Sequence, residues 1–257
     1  MDPLTNVAVS AARAAGDTIL EYYRRGDPGQ ITRKGPNDYA TEADQHAEQV
    51  IIQTISRRYP QHGFIAEESG QNDDTDTVWI IDPIDGTANF MHGLPHFCVS
   101  IACRIDGILK LGVIFDPVRN ELFTAERGRG AELDGRRVRV SGATHLDTAL
   151  LASGFAYRRN ADVDTWMPAF QQLTRAAGGM RVNGSAALDL AYVACGRLDA
   201  FWEAGLHAWD VAAGMLLVRA AGGIVAPPDD SDPLESGHIL ASTPKLVPRI
   251  HERIKSG

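Results

Sequence analysis

Asp82 and Asp85 stand three residues apart inside the stretch V-W-I-I-D-P-I-D-G-T-A-N-F, residues 78–90. Residues 78–81 are β-branched and aromatic, the composition of a buried strand. Pro83 cannot donate to a sheet ladder and fixes its own φ, so the strand is expected to end at Asp82. Asp85-Gly86 reads as a turn pair, with Gly86 letting the backbone approach a ligand closely. Both carboxylates would then leave the carboxyl end of one strand, the edge where ligands bind in open α/β sheets. Carboxylates so close repel one another unless protons or cations intervene. Hard oxygen ligands suit Mg²⁺, with Mn²⁺ as the alternative. Gly86 and Thr87 add backbone N–H groups and a hydroxyl, which are phosphate donors. The chemistry suggested is metal-assisted phosphoryl transfer. The competing reading is an ordinary strand-to-turn junction, because Asp, Pro and Gly are also the commonest turn residues.

The bulk of the chain bounds what could carry such a site. Its 257 residues fit one large unit or two halves sharing a site. A net charge of −8 argues against broad contact with nucleic-acid backbone. It does not oppose an anionic substrate, since a bound divalent cation reverses the local sign. No apolar run approaches bilayer length, and the start M-D-P-L-T has no basic or apolar export signal, so a cytoplasmic protein away from membranes is expected. The cysteines Cys98, Cys103 and Cys195 form no C-x-x-C and read as reduced core thiols. Cys98 and Cys103 would point to opposite faces of a strand. No zinc pattern such as H-E-x-x-H occurs among the eight histidines.

The elements that must position the carboxylates follow from periodicity. Residues 3–25 place Leu4, Ala8, Ala11, Ala15, Ile19 and Tyr22 on one helical face, stopped by Gly26 and Pro28. Residues 31–44 read as a polar loop running into a second helix, with Thr41 and Asp44 as a capping box. A short strand at 63–66 ends in Glu67-Glu68, and 70–77 is expected to be an acidic loop. Beyond the central stretch, 96–104 and 108–115 form a hairpin turning at Asp106-Gly107, followed by strands at 121–125 and 136–140. A strand at 148–153, a helix at 162–177 and a helix starting at Gly184-Ser185 come next. The free N–H groups of that last start could bind an anion or a substrate hydroxyl. A strand at 198–202 ends at Glu203, and a helix opens near Asp210, itself a natural N-cap, and closes at Gly222-Gly223. A strand at 223–226, another at 239–241 and a final helix from Pro244 complete the chain.

W-I-I-D-P-I-D-G-T-A-N-F resembles the first signature of the inositol monophosphatase family, and H-A-W-D-V-A-A-G-M-L-L-V-R-A-A-G-G, residues 207–223, resembles the second. A-E-E-S and K-G-P-N-D-Y-A-T-E-A-D precede them in matching order and spacing, so the likeness covers essentially the whole chain. It implies an α/β fold of the α+β type, a layered αβαβα sandwich. One unit would span 1–257, with a larger, mostly antiparallel sheet and the main metal site in 1–145. A smaller sheet and the substrate contacts would lie in 146–257. Carried over by position, Glu67, Asp82, Asp85, Asp210 and the Ile84 carbonyl would hold Mg²⁺. Gly86 and Thr87 would hold the phosphate, and Asp44, Glu67 and Thr87 would position and deprotonate water. Glu68 would stand behind the ligands, Lys34 near a mobile loop, and Ala186 and Glu203 would face the substrate alcohol. Arg158, Arg159 and Arg181, in a segment that the likeness does not align tightly, would be candidates for further anion contacts.

The resemblance therefore implies a Mg²⁺-dependent, lithium-sensitive phosphatase, usually a homodimer, acting on a small phosphorylated polyol by direct in-line attack of metal-activated water. Ala88-Asn89-Phe90 after D-G-T points to the inositol-1-phosphate branch rather than to histidinol phosphate or other small phosphate esters. A bacterial branch of the family also acts in transcription antitermination, which keeps an interaction role, through a protein partner, as the rival expectation.

Overall fold

The computed structural model describes residues 2–35, 38–154, 163–227 and 229–255. Helix α1 (Pro3–Arg25) starts on a proline behind Asp2, whose carboxylate accepts the Leu4 N–H at 2.8 Å, and ends on left-handed Gly26. Strands β1 (Ile31–Gly35) and β2 (Asp38–Thr41) pair antiparallel, where the sequence predicts only a polar loop. The side chains of residues 31–34 are exposed, so no apolar alternation marks the hairpin. Helix α2 (Glu42–Ser56) opens with the expected capping box: the Thr41 N–H donates to Asp44 Oδ2 at 2.8 Å, and the Thr41 hydroxyl accepts from the Asp44 N–H.

Strands β3 (Gly63–Ala66), β4 (Gly70–Asn72) and β5 (Thr77–Asp85) follow, then the short helix α3 (Thr87–Met91). Strand β4 falls within the predicted acidic loop. It is a three-residue, fully exposed edge strand that carries no hydrophobic signal. The chain then forms β6 (Cys98–Ile105), β7 (Ile108–Asp116), β8 (Glu121–Glu126), β9 (Gly130–Leu133) and β10 (Arg136–Val138). The β6–β7 turn sits at Asp106-Gly107, with φ 50° and 76°, as the dipeptide indicates. Strands β3 to β10 make an eight-stranded sheet in the order β10-β9-β8-β7-β6-β5-β3-β4, antiparallel except where β3 meets β5.

The remainder runs β11 (Leu150–Ser153), α4 (Val163–Ala176), β12 (Gly179–Arg181), α5 (Ala186–Ala194), β13 (Ala200–Glu203) and α6 (Ala208–Ala220). Strand β14 (Ile224–Val225), helix α7 (Pro233–Ser236), β15 (Ile239–Ser242) and α8 (Val247–Lys255) close the chain. Its five strands order as β12-β11-β13-β15-β14. Strand β12 lies where the sequence shows only Gly178-Gly179 breaking a helix.

Alternation along the strands sorts the cores into layers. Trp79, Ile81, Ile101 and Val113 pack under Ala15, Ile19, Ile51 and Ile55 of α1 and α2. Ile80, Ala102, Ile114 and Phe123, on the other face, meet Leu190 of α5, Val211 and Leu217 of α6, and Phe201 and Ala241 of the smaller sheet. Leu151, Ala200, Trp202 and Leu240 are covered by Trp166, Leu173 and Ile250 of α4 and α8. The order is helix, sheet, helix, sheet, helix, as expected. Cys98 and Cys103 fall on opposite faces of β6. Gly112 lets α6 press onto β7, because a Cβ there would meet the Ala213 backbone at 2.8 Å. No described helix is long and apolar enough to cross a membrane.

Candidate metal and phosphate site

Strand β5 does not stop at Asp82. It runs on to Asp85, with Asp82 opposite Ser100 and Asp85 opposite Cys98. Three steps on β5 face two on β6, so one extra residue is accommodated as a bulge. Pro83 lies inside that irregularity, where its missing N–H removes no ladder bond. On a regular strand, residues three apart point to opposite faces. The bulge is what lets Asp82 and Asp85 converge.

Asp210 completes the group. One carboxylate oxygen from each of Asp82, Asp85 and Asp210 lies within 4.8 Å of the others, and the three residues are only 1%, 7% and 2% exposed. Asp210 is the third residue of α6 rather than its N-cap. His207 takes the cap position, and its N–H donates to Asp210 Oδ2 at 2.6 Å. Asp85 Oδ2 accepts the Ala187 N–H at 2.8 Å and the Ser185 hydroxyl. The predicted anion-binding start of α5 is therefore partly used by a carboxylate of the protein itself, and the Leu188 N–H turns to Ser185 Oγ.

Glu67 leaves β3 beside Asp82, since Ala66 pairs with Ile81. Its carboxylate is not among the three that converge. Lys34 Nζ lies 3.3 Å from Glu67 Oε1 and 2.6 Å from Glu68 Oε1, so these two acids hold an ammonium from β1. Glu48, which the sequence reading missed, fixes their turn: its two oxygens accept the Glu68 and Ser69 N–H groups at 2.8 Å each. The available signal was its place one helical turn beyond Asp44, on the same face of α2.

Thr87 and Asp44 meet on the near side. The Thr87 hydroxyl is 3.3 Å from Asp44 Oδ1 and 3.1 Å from the Ile84 carbonyl. Burial pushes the Asp44 carboxyl up to about 7; nearby Glu67 and Glu68 add to the rise, and hydrogen bonds from Thr41 oppose it. Gly86 holds φ 99°, and a Cβ there would lie 3.0 Å from the His96 carbonyl and 3.2 Å from that of Gly184. Both its conformation and its surroundings call for glycine.

Ala186 and Glu203, at the start of α5 and the end of β13, are both buried. Gly154 packs directly against the Glu203 carboxylate, so a side chain there would require that carboxylate to move. Arg158 and Arg159 lie outside the described residues. Arg181 sits on the edge strand β12, its guanidinium donating to the Met180 carbonyl.

These features are shared with known proteins. A sequence model described as the inositol monophosphatase family matches residues 1–256. The chain is 49% identical over 250 residues to the Nus factor SuhB of Escherichia coli K12, covering 96% of this chain and 94% of that one. It is 49% identical over 252 residues to the Nus factor SuhB of Pseudomonas aeruginosa, covering 95% and 93%. Its structure matches the extragenic suppressor protein suhB from Bartonella henselae with a TM-score of 0.96 and 40% identity over 100% of both chains. It matches the inositol monophosphatase from Anabaena with a TM-score of 0.87 and 40% identity over 98% and 94%. With both signatures meeting at one carboxylate cluster and the match running nearly end to end, the chain belongs to the inositol monophosphatase family.

Proposed function

We propose that the protein is a Mg²⁺-dependent phosphate monoester hydrolase acting on small phosphorylated polyols, with myo-inositol 1-phosphate as the leading substrate. The observation that carries this reading is the convergence of Asp82, Asp85 and Asp210 beside the Gly86-Thr87 turn. Three nearly buried carboxylates this close strongly favour a bound cation over three bare charges. Their all-oxygen chemistry fits Mg²⁺ or Mn²⁺. Asp82, Asp85 and Asp210 would hold it, with the Ile84 carbonyl and Glu67 as further oxygens. When bound, such a cation neutralises phosphate oxygens and acidifies water.

The chain's own groups do the rest. The N–H groups of the Gly86-Thr87 turn hold the phosphate. Asp44, whose Oδ1 lies 3.3 Å from the Thr87 hydroxyl, takes a proton through it. Glu67 orients the attacking water. The Ala186 turn and Glu203 face the polyol hydroxyls. Attack by water is direct in this reading. The nearby Cys98 is fully buried, and burial holds its thiol well above its ordinary pKa, which disqualifies it as a nucleophile. The reading carries with it lithium sensitivity, a cytoplasmic location and a homodimer.

The test is phosphate release from myo-inositol 1-phosphate and from histidinol phosphate, with Mg²⁺ and with chelator, alongside Asp85→Asn. Mg²⁺-dependent turnover of the inositol ester, lost in the variant, supports the proposal. Preference for histidinol phosphate keeps the mechanism and replaces the substrate. The second reading, a transcription-related interaction role, is favoured by the near-half identity to proteins named Nus factor SuhB. Retention of polymerase components by the purified chain, unaffected by Asp85→Asn, would support it.

A further inference from the structure

Asn89 lies outside the proposed chemistry, yet it joins the two turns between which a substrate would sit. It is the third residue of α3, just after the phosphate-holding Gly86-Thr87. Its amide nitrogen donates to two carbonyls, His96 O and Asn183 O, both at 2.8 Å. Because both partners are acceptors, only the nitrogen of the amide can face them, so its orientation is fixed by chemistry.

The surrounding backbone is built around this amide. Gly184 holds φ 81°, and a Cβ on it would come within 3.1 Å of Asn89 Nδ2. The Gly184 carbonyl in turn closes over Gly86, 3.2 Å from where its Cβ would be. The far end of the link is anchored as well: Asn183 Nδ2 donates to Asp189 Oδ1 at 2.6 Å, and Asp189 is buried within α5. A chain of contacts thus runs from Gly86 through Asn89 and Asn183 to the helix that opens with Ala186.

We infer that Asn89 is a positioning residue that sets the spacing between the phosphate-holding turn at Gly86-Thr87 and the polyol-facing turn at residues 184–186, and so governs selection of the alcohol rather than of the phosphate. The inference rests on the phosphatase reading for the identity of the ligand, not for the link itself. Removing the link leaves the second turn held by the bonds from Ser185 and the Ala187 N–H to Asp85, while Asp82, Gly86 and Thr87 stay fixed on β5 and α3.

The test is Asn89→Asp, which puts a carboxylate oxygen where two carbonyls expect a donor, with Asn89→Ala as the milder form. With Mg²⁺ present, KM for myo-inositol 1-phosphate should rise about tenfold with kcat changed less than about threefold, the scale of one polar link lost between half-buried groups. The competitive inhibition constant of inorganic phosphate should stay within about twofold. Amide hydrogen exchange over residues 184–188 should speed about tenfold in both variants, and exchange over residues 78–85 should not change. Unchanged exchange at 184–188 overturns the inference, as does a phosphate constant that rises in step with KM. Failure of both variants to fold also overturns it, since Asn89 would then hold the fold rather than the spacing. If the wild-type protein turns over no phosphate ester, the functional reading fails, and the exchange data still decide the link.

Discussion

Asp85 and Ser185 stand 100 residues apart in the chain and are joined by a hydrogen bond from the serine hydroxyl to Asp85 Oδ2. The same oxygen takes the Ala187 N–H at 2.8 Å, so the start of α5 holds a proposed cation ligand in place. Ser185→Ala keeps the backbone bond and loses the hydroxyl. Cation affinity should fall about 10–100-fold, the usual cost of removing a group that orients a ligand. Stability should fall by about 1 kcal/mol, because Ser185 also caps the helix through the Leu188 N–H. Calorimetric titration with Mg²⁺ or Mn²⁺ and a denaturant melt measure the two effects separately.

Lys34 neutralises Glu67 and Glu68 from the β1 strand. Lys34→Met leaves two acids together, each largely buried, without their ammonium. Unfolding in chelator should occur at a lower temperature than in the wild type, by the equivalent of about 1–3 kcal/mol. Adding Mg²⁺ should narrow the gap, if a cation reaches Glu67. A variant equally stable in chelator would show that the pair does not matter to the fold.

The sequence made much of this site readable, and the failures have particular causes. Asp82 and Asp85 could be picked out because acids at a strand end leave a local mark, as does the capping box of Thr41 and Asp44, whereas Asp210 reads locally as a helix N-cap and joins the ligands only through the family resemblance. The run of β5 past Pro83 was not readable, because a bulge is a relation between two strands and only one of them is visible locally. Strands β1, β4 and β12 have too few buried apolar residues for periodicity to register. The partnership of Glu67 with Lys34 and the support from Glu48 are tertiary contacts between residues that look like ordinary surface charge.

Asp44 gives a pH signature to the metal-free protein. Its folded carboxyl titrates at about 7 against an ordinary 3.8, because it is buried. Above about pH 4 the unfolded chain releases this proton while the folded protein keeps it. Asp44 therefore lowers stability progressively as pH rises from about 4 to about 7. In Asp44→Asn, that downward limb should flatten when unfolding free energy is followed by denaturant titration in chelator. Turnover with Mg²⁺ should drop by about 10²–10⁴-fold, the range expected for losing a general base.

His62 works in the opposite sense. Trp79 Nε1 donates to His62 Nδ1 at 3.0 Å, which requires the neutral ring, and burial lowers its pKa. The folded state resists a proton that the unfolded chain accepts as pH falls below about 6.5. Stability contributed by this pair is present at pH 7 and is lost on acidification. His62→Gln should weaken the acid-side slope, measured as the difference in denaturation midpoint between pH 7 and pH 5.

The close seating of α6 on β7, where Gly112 leaves no gap beneath Ala213, has a temporal consequence. Asp210 rides on the first turn of that helix, late in the chain, and reaches Asp82 and Asp85 only when α6 is lodged between the two sheets. During synthesis the first two acids emerge long before the third, and contacts of such long sequence separation form slowly. A nascent chain therefore lacks the assembled three-acid cage, and cation capture becomes a late event that reports the arrival of the finished molecule.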